Sequence, residues 1–275
     1  MAYNHSWQSV FKPGDSNDFF MQADPPEFRL DVDDFNPVNA WWLSELSRLV
    51  YRRDGMEGVE WSERPSRNDF LARVGLVERR FFRGPTVQGA LVETIDAGAA
   101  AYAVLVFRGT SGRLASWLVN LDMAMRPWHR GGKVHRGFKT ALMGIWTEIE
   151  QALDAVDRPL YYTGHSLGGA LATLAASLRP PRAVYTFGAP HIGNAAFARS
   201  LTAVQIYNVC NPRDIVTELP PSGPWFRFTR AGTGVRNIEA AGDHSHFVQA
   251  PSFLANHAPL NYTAQLPDIS SMGRG

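Results

Sequence analysis

Pro159-Leu160-Tyr161-Tyr162-Thr163-Gly164-His165-Ser166-Leu167-Gly168-Gly169-Ala170 is the stretch that decides the fold. Its first five residues are a short apolar run that predicts a strand, and Leu171 to Leu178 predict a helix. Between them stands Gly-x-Ser-x-Gly. A serine on so tight a strand-to-helix turn forms a nucleophile elbow: only glycine tolerates the backbone angles and close contacts beside it. The Ser166 hydroxyl is then presented at the surface above the sheet edge. The amide of Leu167 sits at a helix N-terminus, where an oxyanion can bind. A Gly-rich structural turn is the bland alternative, and the flanking strand, Gly-Gly-Ala and helix weigh against it.

Outward from the elbow, strands and helices alternate. Upstream, Leu91 to Ile95 and Ala101 to Phe107 predict a hairpin turning at Asp96-Ala97-Gly98. The second run is apolar without alternation, as a central strand covered on both faces requires. It ends in Arg108-Gly109-Thr110-Ser111-Gly112, a polar turn where open α/β sheets place ligands. An amphipathic helix is expected from Gly137 to about Val156. Downstream, Arg182 to Gly188 and Gln205 to Cys210 predict two more strands with a loop and helix from His191 to Leu201 between them. This order implies parallel pairing through right-handed crossovers.

Asn36-Pro37 supplies an N-cap and a first-turn proline for a helix beginning near Ala40. Trp42, Leu46, Leu49 and Val50 form its apolar stripe, so its tryptophans read as core rather than as a binding box. Residues 1–27 are polar and Pro-containing and read as an extended arm pinned by Phe19 and Phe20. The last third is rich in Pro, Gly and His, with a short strand expected around Trp225 to Thr229. No repeat or clean linker divides the chain, so residues 28–275 read as one α/β domain.

Composition narrows the partners. A 45% hydrophobic and 19% charged chain of 275 residues fits an ordinary globule, and a net charge of +1 gives no electrostatic case for nucleic acid. Arg79, Arg80 and Arg83 read as a solvated face. The single cysteine, Cys210, allows no intramolecular disulfide and no multi-Cys zinc site, and its strand setting makes it inert core. Residues 1–7 show no basic and apolar leader pattern, and no apolar run is long enough to span a bilayer. Cytoplasmic residence is the default expectation.

A serine hydroxyl needs a base and a group that orients that base. In α/β-hydrolases these follow in the order Ser, acid, His. Asp214, in Asn211-Pro212-Arg213-Asp214 after a predicted strand, is the first candidate acid; Asp243 is second and Glu218 third. Three histidines come after the acid. His257, in a loop near the end of the fold, ranks above His244 and His246. A metal site from Asp243, His244 and His246 lacks a further placed ligand and is set aside. The second oxyanion donor should come from the end of a neighbouring strand, where Thr110 offers an amide and a hydroxyl.

Five segments together resemble one family. Val106-Phe107-Arg108-Gly109-Thr110, Val134-His135-Arg136-Gly137-Phe138, Thr163 to Ala170, Thr186-Phe187-Gly188-Ala189-Pro190 with Gly193-Asn194, and Asp214-Ile215-Val216 with Leu219-Pro220-Pro221 are similar to the class 3 lipases. That group includes fungal triacylglycerol lipases and feruloyl esterases. With His257-x-x-x-x-Tyr262, the likeness spans about residues 38 to 266. The resemblance implies an α/β-hydrolase fold, with Ser166 as nucleophile, Asp214 as acid, His257 as base, and Thr110 and Leu167 as oxyanion donors. It further implies a lid at about 111–131, whose Leu114, Trp117 and Leu118 cover the site in water and contact a lipid–water interface.

Two departures stand out. Ser116-Trp117 occupies a place where many relatives have Asp-Trp, and Asn120 and Asp122 stand where an Asp often fixes the oxyanion hydroxyl. The disulfides of secreted fungal members are absent as well. The expected chemistry is hydrolysis of carboxylic esters, acylglycerols first, through an acyl-enzyme with no metal or organic cofactor. An esterase, feruloyl esterase or phospholipase with the same triad is the alternative within enzymes, and an inactive lipid-binding module the alternative outside them.

Overall fold

Side chains on successive strand residues point to opposite faces, and in this chain both faces are apolar. On the strand Ala103–Phe107, Val104 and Val106 enter one buried cluster, while Ala103, Leu105 and Phe107 enter another. The same division holds for Tyr161 against Tyr162, and for Tyr185 and Phe187 against Val184. The sheet is therefore covered on both sides, with a core on each.

The structure is a computed structural model. It describes residues 4, 6–21, 25–53, 65–109, 123–221, 227–232, 234–238, 250 and 252–266. In chain order the elements are α1 (Trp7–Phe11), α2 (Pro37–Leu49), α3 (Arg67–Ala72), β1 (Leu76–Arg83), β2 (Gln88–Thr94), β3 (Ala103–Phe107), β4 (Met125–Pro127), β5 (Lys133–His135), α4 (Arg136–Met143) and α5 (Trp146–Leu153). There follow β6 (Leu160–His165), α6 (Leu167–Leu178), β7 (Ala183–Phe187), α7 (Ala195–Ser200), β8 (Ile206–Cys210), β9 (Gly234–Asn237), α8 (Ser252–Ala255) and α9 (Pro259–Ala264). Seven strands form one sheet in the order β1-β2-β3-β6-β7-β8-β9. The β1-β2-β3 edge is antiparallel, and every pairing from β3 to β9 is parallel.

Helix α2 begins as its sequence dictates. The Asn36 side chain accepts from the amides of Val38 and Asn39, and Pro37 occupies the first turn. The helix is buried on more than a stripe, because Glu45 and Arg48 are inside as well. Their burial explains the N-terminal segment. Arg48 binds Glu45 at 2.6 Å and Asp18 at 2.5 Å, and Glu45 accepts the Phe20 amide at 2.8 Å. Phe19 and Phe20 pack into the same core. Residues 6–20 are thus not an extended arm: they contain α1 and a 3-10 turn at Pro13–Asp15 and are built into the domain.

Two other expectations need correction. The helix expected from Gly137 to Val156 is two helices, α4 and α5. Gly144 weakens helical order there, and Ile145 leaves helical geometry (φ −130°, ψ 1°) to bury its side chain. The strand expected around Trp225 to Thr229 is reduced to bridge residues at Arg227 and Thr229, the latter pairing with Gly193, with residues 222–226 outside those described. The last strand of the sheet is instead β9, whose mostly exposed Gly-Val-Arg-Asn carries no apolar signal.

Candidate active site

β6 lies fourth of the seven strands, between β3 and β7. Ser166 follows its last residue and caps α6 with φ 57° and ψ −129°, a left-handed strain rare outside glycine. The Ser166 amide is tied to the Phe187 carbonyl at 2.9 Å, which ties the turn to β7. The neighbouring glycines are needed for closeness. A Cβ on Gly164 would overlap the Gly168 carbonyl, and one on Gly168 would overlap that of Phe107. The Gly169 amide returns to the Ser166 carbonyl at 3.0 Å, whereas the amide of Leu167, the first residue of α6, has no acceptor within the helix. Ser166 is not surface-presented: it is 2% exposed.

Asp214 follows β8, two strands away, and caps the 3-10 turn Ile215–Glu218. Its Oδ1 accepts the Val216 amide at 2.9 Å. Its Oδ2 accepts from Nδ1 of His257 at 2.7 Å and from the Tyr262 hydroxyl at 2.7 Å. Nε2 of His257 lies 2.8 Å from Oγ of Ser166. A carboxylate only accepts, so Nδ1 carries the proton and Nε2 is left to accept from serine. The structure thus joins Ser166, His257 and Asp214 in one hydrogen-bonded line, all three buried. Glu218 is turned away on an exposed face near Arg230. Asp243, His244 and His246 lie outside the described residues, as do Thr110, Leu114, Trp117 and Leu118.

The described end of the expected lid range is a fixed hairpin. β4 pairs with β5, and Trp128 is buried with Nε1 donating to Ser177 at 2.9 Å. Among the described residues no cluster of three or more His, Cys, Asp or Glu is arranged to hold a metal. Burial pushes the Cys210 thiol up to about 11.

Three polar residues near the site had no role in the sequence reading. Tyr262 stood in the spacing after His257 without an assigned partner. Tyr51, at the end of α2, and His165, inside the elbow, carry no signal of their own: each is a buried side chain whose partner lies more than 90 residues away. Nε2 of His165 contacts the His257 carbonyl at 2.7 Å, and its Nδ1 lies 3.0 Å from the Tyr51 hydroxyl. Burial, and then the neighbouring His257, hold the His165 imidazole well below its ordinary pKa, and so neutral.

The profile of a family described as Lipase (class 3) matches residues 104–223, from β3 through the loop carrying Asp214. That matched segment, under half of the chain, is similar to the class 3 lipases. The chain is 36% identical over 146 residues to a lipase of Rhizomucor miehei, covering 46% of this chain and 39% of that one. It is 35% identical over 139 residues to the secreted mono- and diacylglycerol lipase 1 of Fusarium solani, covering 46% and 41%. The chain therefore spans about two fifths of the length of these curated relatives. The crystal structure of the lipase from Rhizopus microsporus var. chinensis superposes with a TM-score of 0.59 at 21% identity, covering 88% of this chain and 92% of that one. The chain has the α/β-hydrolase fold. Among its described residues no helix is long and apolar enough to cross a membrane. The Fusarium protein is named as secreted, so cytoplasmic residence as the default finds no support.

Proposed function

We propose that this protein is a serine carboxylic ester hydrolase, a lipase acting on acylglycerol esters. The observation that carries the proposal is the line from Ser166 Oγ through His257 to Asp214 Oδ2, at 2.8 and 2.7 Å. Ser166 attacks the ester carbonyl as His257 Nε2 takes its proton, and Asp214 stabilises the imidazolium. The Leu167 amide, with Thr110 as second donor, holds the oxyanion. Collapse of the tetrahedral intermediate releases the alcohol, which takes the proton from His257, and leaves an acyl-serine. Water, deprotonated by the same imidazole, then frees the fatty acid. None of these steps calls on a metal or organic cofactor.

The experiment is covalent labelling by a fluorophosphonate probe together with a substrate panel of p-nitrophenyl esters, triolein, feruloyl esters and phospholipid. Labelling of wild type but not of Ser166→Ala, with turnover greatest on acylglycerols, is expected. Turnover confined to short soluble esters, feruloyl esters or phospholipid would move the assignment to those substrates. No labelling and no turnover would leave a lipid-binding module.

The lid belongs to the same proposal. With Ser166 buried, an ester reaches it only when the residues above it part. A segment from Ser111 to about Val119 that turns Leu114, Trp117 and Leu118 onto a lipid surface would be favoured open by that contact. Rates on emulsified ester above those on dissolved ester, with the gap narrowed in Trp117→Ala, are the expected result. Equal rates in both proteins would remove the lid from the account.

A further inference from the structure

The contact between His165 and the main chain of His257 has a chemical direction. A carbonyl oxygen only accepts, so Nε2 of His165 must carry the proton that reaches the His257 oxygen at 2.7 Å. In a neutral ring Nδ1 is then the acceptor, and the Tyr51 hydroxyl, 3.0 Å away, donates to it. The same tyrosine hydroxyl packs against the backbone at Gly109. Gly109 has no room for a side chain, because a Cβ there would overlap the Tyr51 hydroxyl. Each donor in this chain has one acceptor: Tyr51 O–H to His165 Nδ1, and His165 N–H to the carbonyl of His257.

The chain ties the end of α2 and the turn carrying His257 to β6, which itself pairs with β3. Gly109 stands where β3 runs out, one residue before Thr110. Tyr51 closes α2, and His165 is the last residue of β6, directly before Ser166. His257 sits on a short turn after α8, its own amide returning only to Leu254 at 3.1 Å. The His165 ring centroid lies 4.6 Å from that of His257 and 5.7 Å from that of Tyr262. The base is thus held at both ends, its imidazole by Asp214 and its carbonyl by His165.

We propose that Tyr51 and His165 are positioning residues of the ester-hydrolysing site, fixing the main chain of His257 relative to the end of β3 through a single imidazole tautomer. The inference rests on the hydrolase reading above. A tautomer change in His165 would point a lone pair at the His257 carbonyl and break the hold. The tyrosine hydroxyl opposes that change, since its single proton is directed at Nδ1.

The test compares Tyr51→Phe, His165→Phe and His165→Gln with wild type on a dissolved p-nitrophenyl ester, with ring-nitrogen NMR of the histidines. Tyr162→Phe is the control, because the Tyr162 hydroxyl is buried with no partner among the described residues. Tyr51→Phe and His165→Phe are expected to lose about 10- to 100-fold in kcat, with KM within about twofold, as for a catalytic group displaced by a fraction of an ångström to an ångström. His165→Gln, whose amide can still donate to the His257 carbonyl, should stay within about threefold of wild type, and Tyr162→Phe should match it. The wild-type spectrum should show His165 protonated at Nε2 alone, and Tyr51→Phe should lose that single state. Full kcat in folded Tyr51→Phe and His165→Phe overturns the inference, and so does a His165→Gln as impaired as His165→Phe. A wild type without turnover or probe labelling overturns the hydrolase reading first, and this inference with it.

Discussion

The Tyr262 hydroxyl donates to the same carboxylate oxygen of Asp214 that receives the Nδ1 proton of His257, at 2.7 Å in each case. Asp214 is 1% exposed, so these donors and the Val216 amide stand in for water. Tyr262 in turn accepts the Asn211 amide at 3.2 Å, which fixes the loop after β8. Tyr262→Phe keeps the ring but leaves a buried carboxylate oxygen and an amide each short of a partner. A loss of about 1–3 kcal/mol in unfolding free energy is expected. If about 1.4 kcal/mol of it holds the carboxylate in register, kcat falls about tenfold with KM little changed. Urea melts and steady-state kinetics check both, and a variant as stable and as fast as wild type would remove Tyr262 from the site.

Ser166 sits at φ 57° and ψ −129°, and such strain in a residue with a Cβ costs on the order of 1–3 kcal/mol. Glycine relieves it but adds about 0.4–1 kcal/mol of unfolded-chain entropy. Ser166→Gly is therefore expected to abolish ester turnover while matching wild type in stability or exceeding it by up to about 2 kcal/mol. Ser166→Ala, which keeps the Cβ, should be equally inactive without that gain. Thermal melts of the two variants side by side decide the matter. A Ser166→Gly protein clearly less stable than Ser166→Ala would mean that the elbow stores no strain.

Periodicity made the parallel strands and α6 legible, because burial on both faces leaves uninterrupted apolar runs such as Ala103–Phe107. The Asn36-Pro37 start of α2 was legible because capping is local. Contacts that close over long separations left no such mark. The Arg48, Glu45 and Asp18 network makes the N-terminal segment part of the core, yet in sequence that segment is polar and Pro-rich. At the site, Ser166, Asp214 and His257 could be placed by order along the chain. Tyr51 and His165 could not, because a tyrosine ending a helix and a histidine inside a turn match many roles.

Burial raises the Cys210 thiol to about 11, above its ordinary value near 9. Below pH 9 the thiol is protonated in both folded and unfolded chains and contributes no pH dependence. As the pH rises through 9, the unfolded thiol ionises while the folded one does not, so its contribution to stability declines with rising pH. In the folded protein at pH 8.5 Cys210 should react with a disulfide reagent far more slowly than in denaturant. Equal rates with and without denaturant would place the thiol outside the core.

Asp214→Asn separates the carboxylate's two jobs. Asparagine keeps an oxygen for the Val216 amide, so the cap on the 3-10 turn survives and the fold should hold. Its amide then replaces Oδ2, and an N–H faces the proton on His257 Nδ1. The imidazole escapes this clash of donors by moving its proton to Nε2. That proton then points at Ser166 Oγ, 2.8 Å away, and the ring can no longer accept from the serine. A fall in kcat of about 10⁴-fold is expected from the wrong tautomer alone. Circular dichroism should match wild type, and fluorophosphonate labelling should slow in parallel with kcat. A folded Asp214→Asn that turns over esters within tenfold of wild type would mean that another acid orients His257.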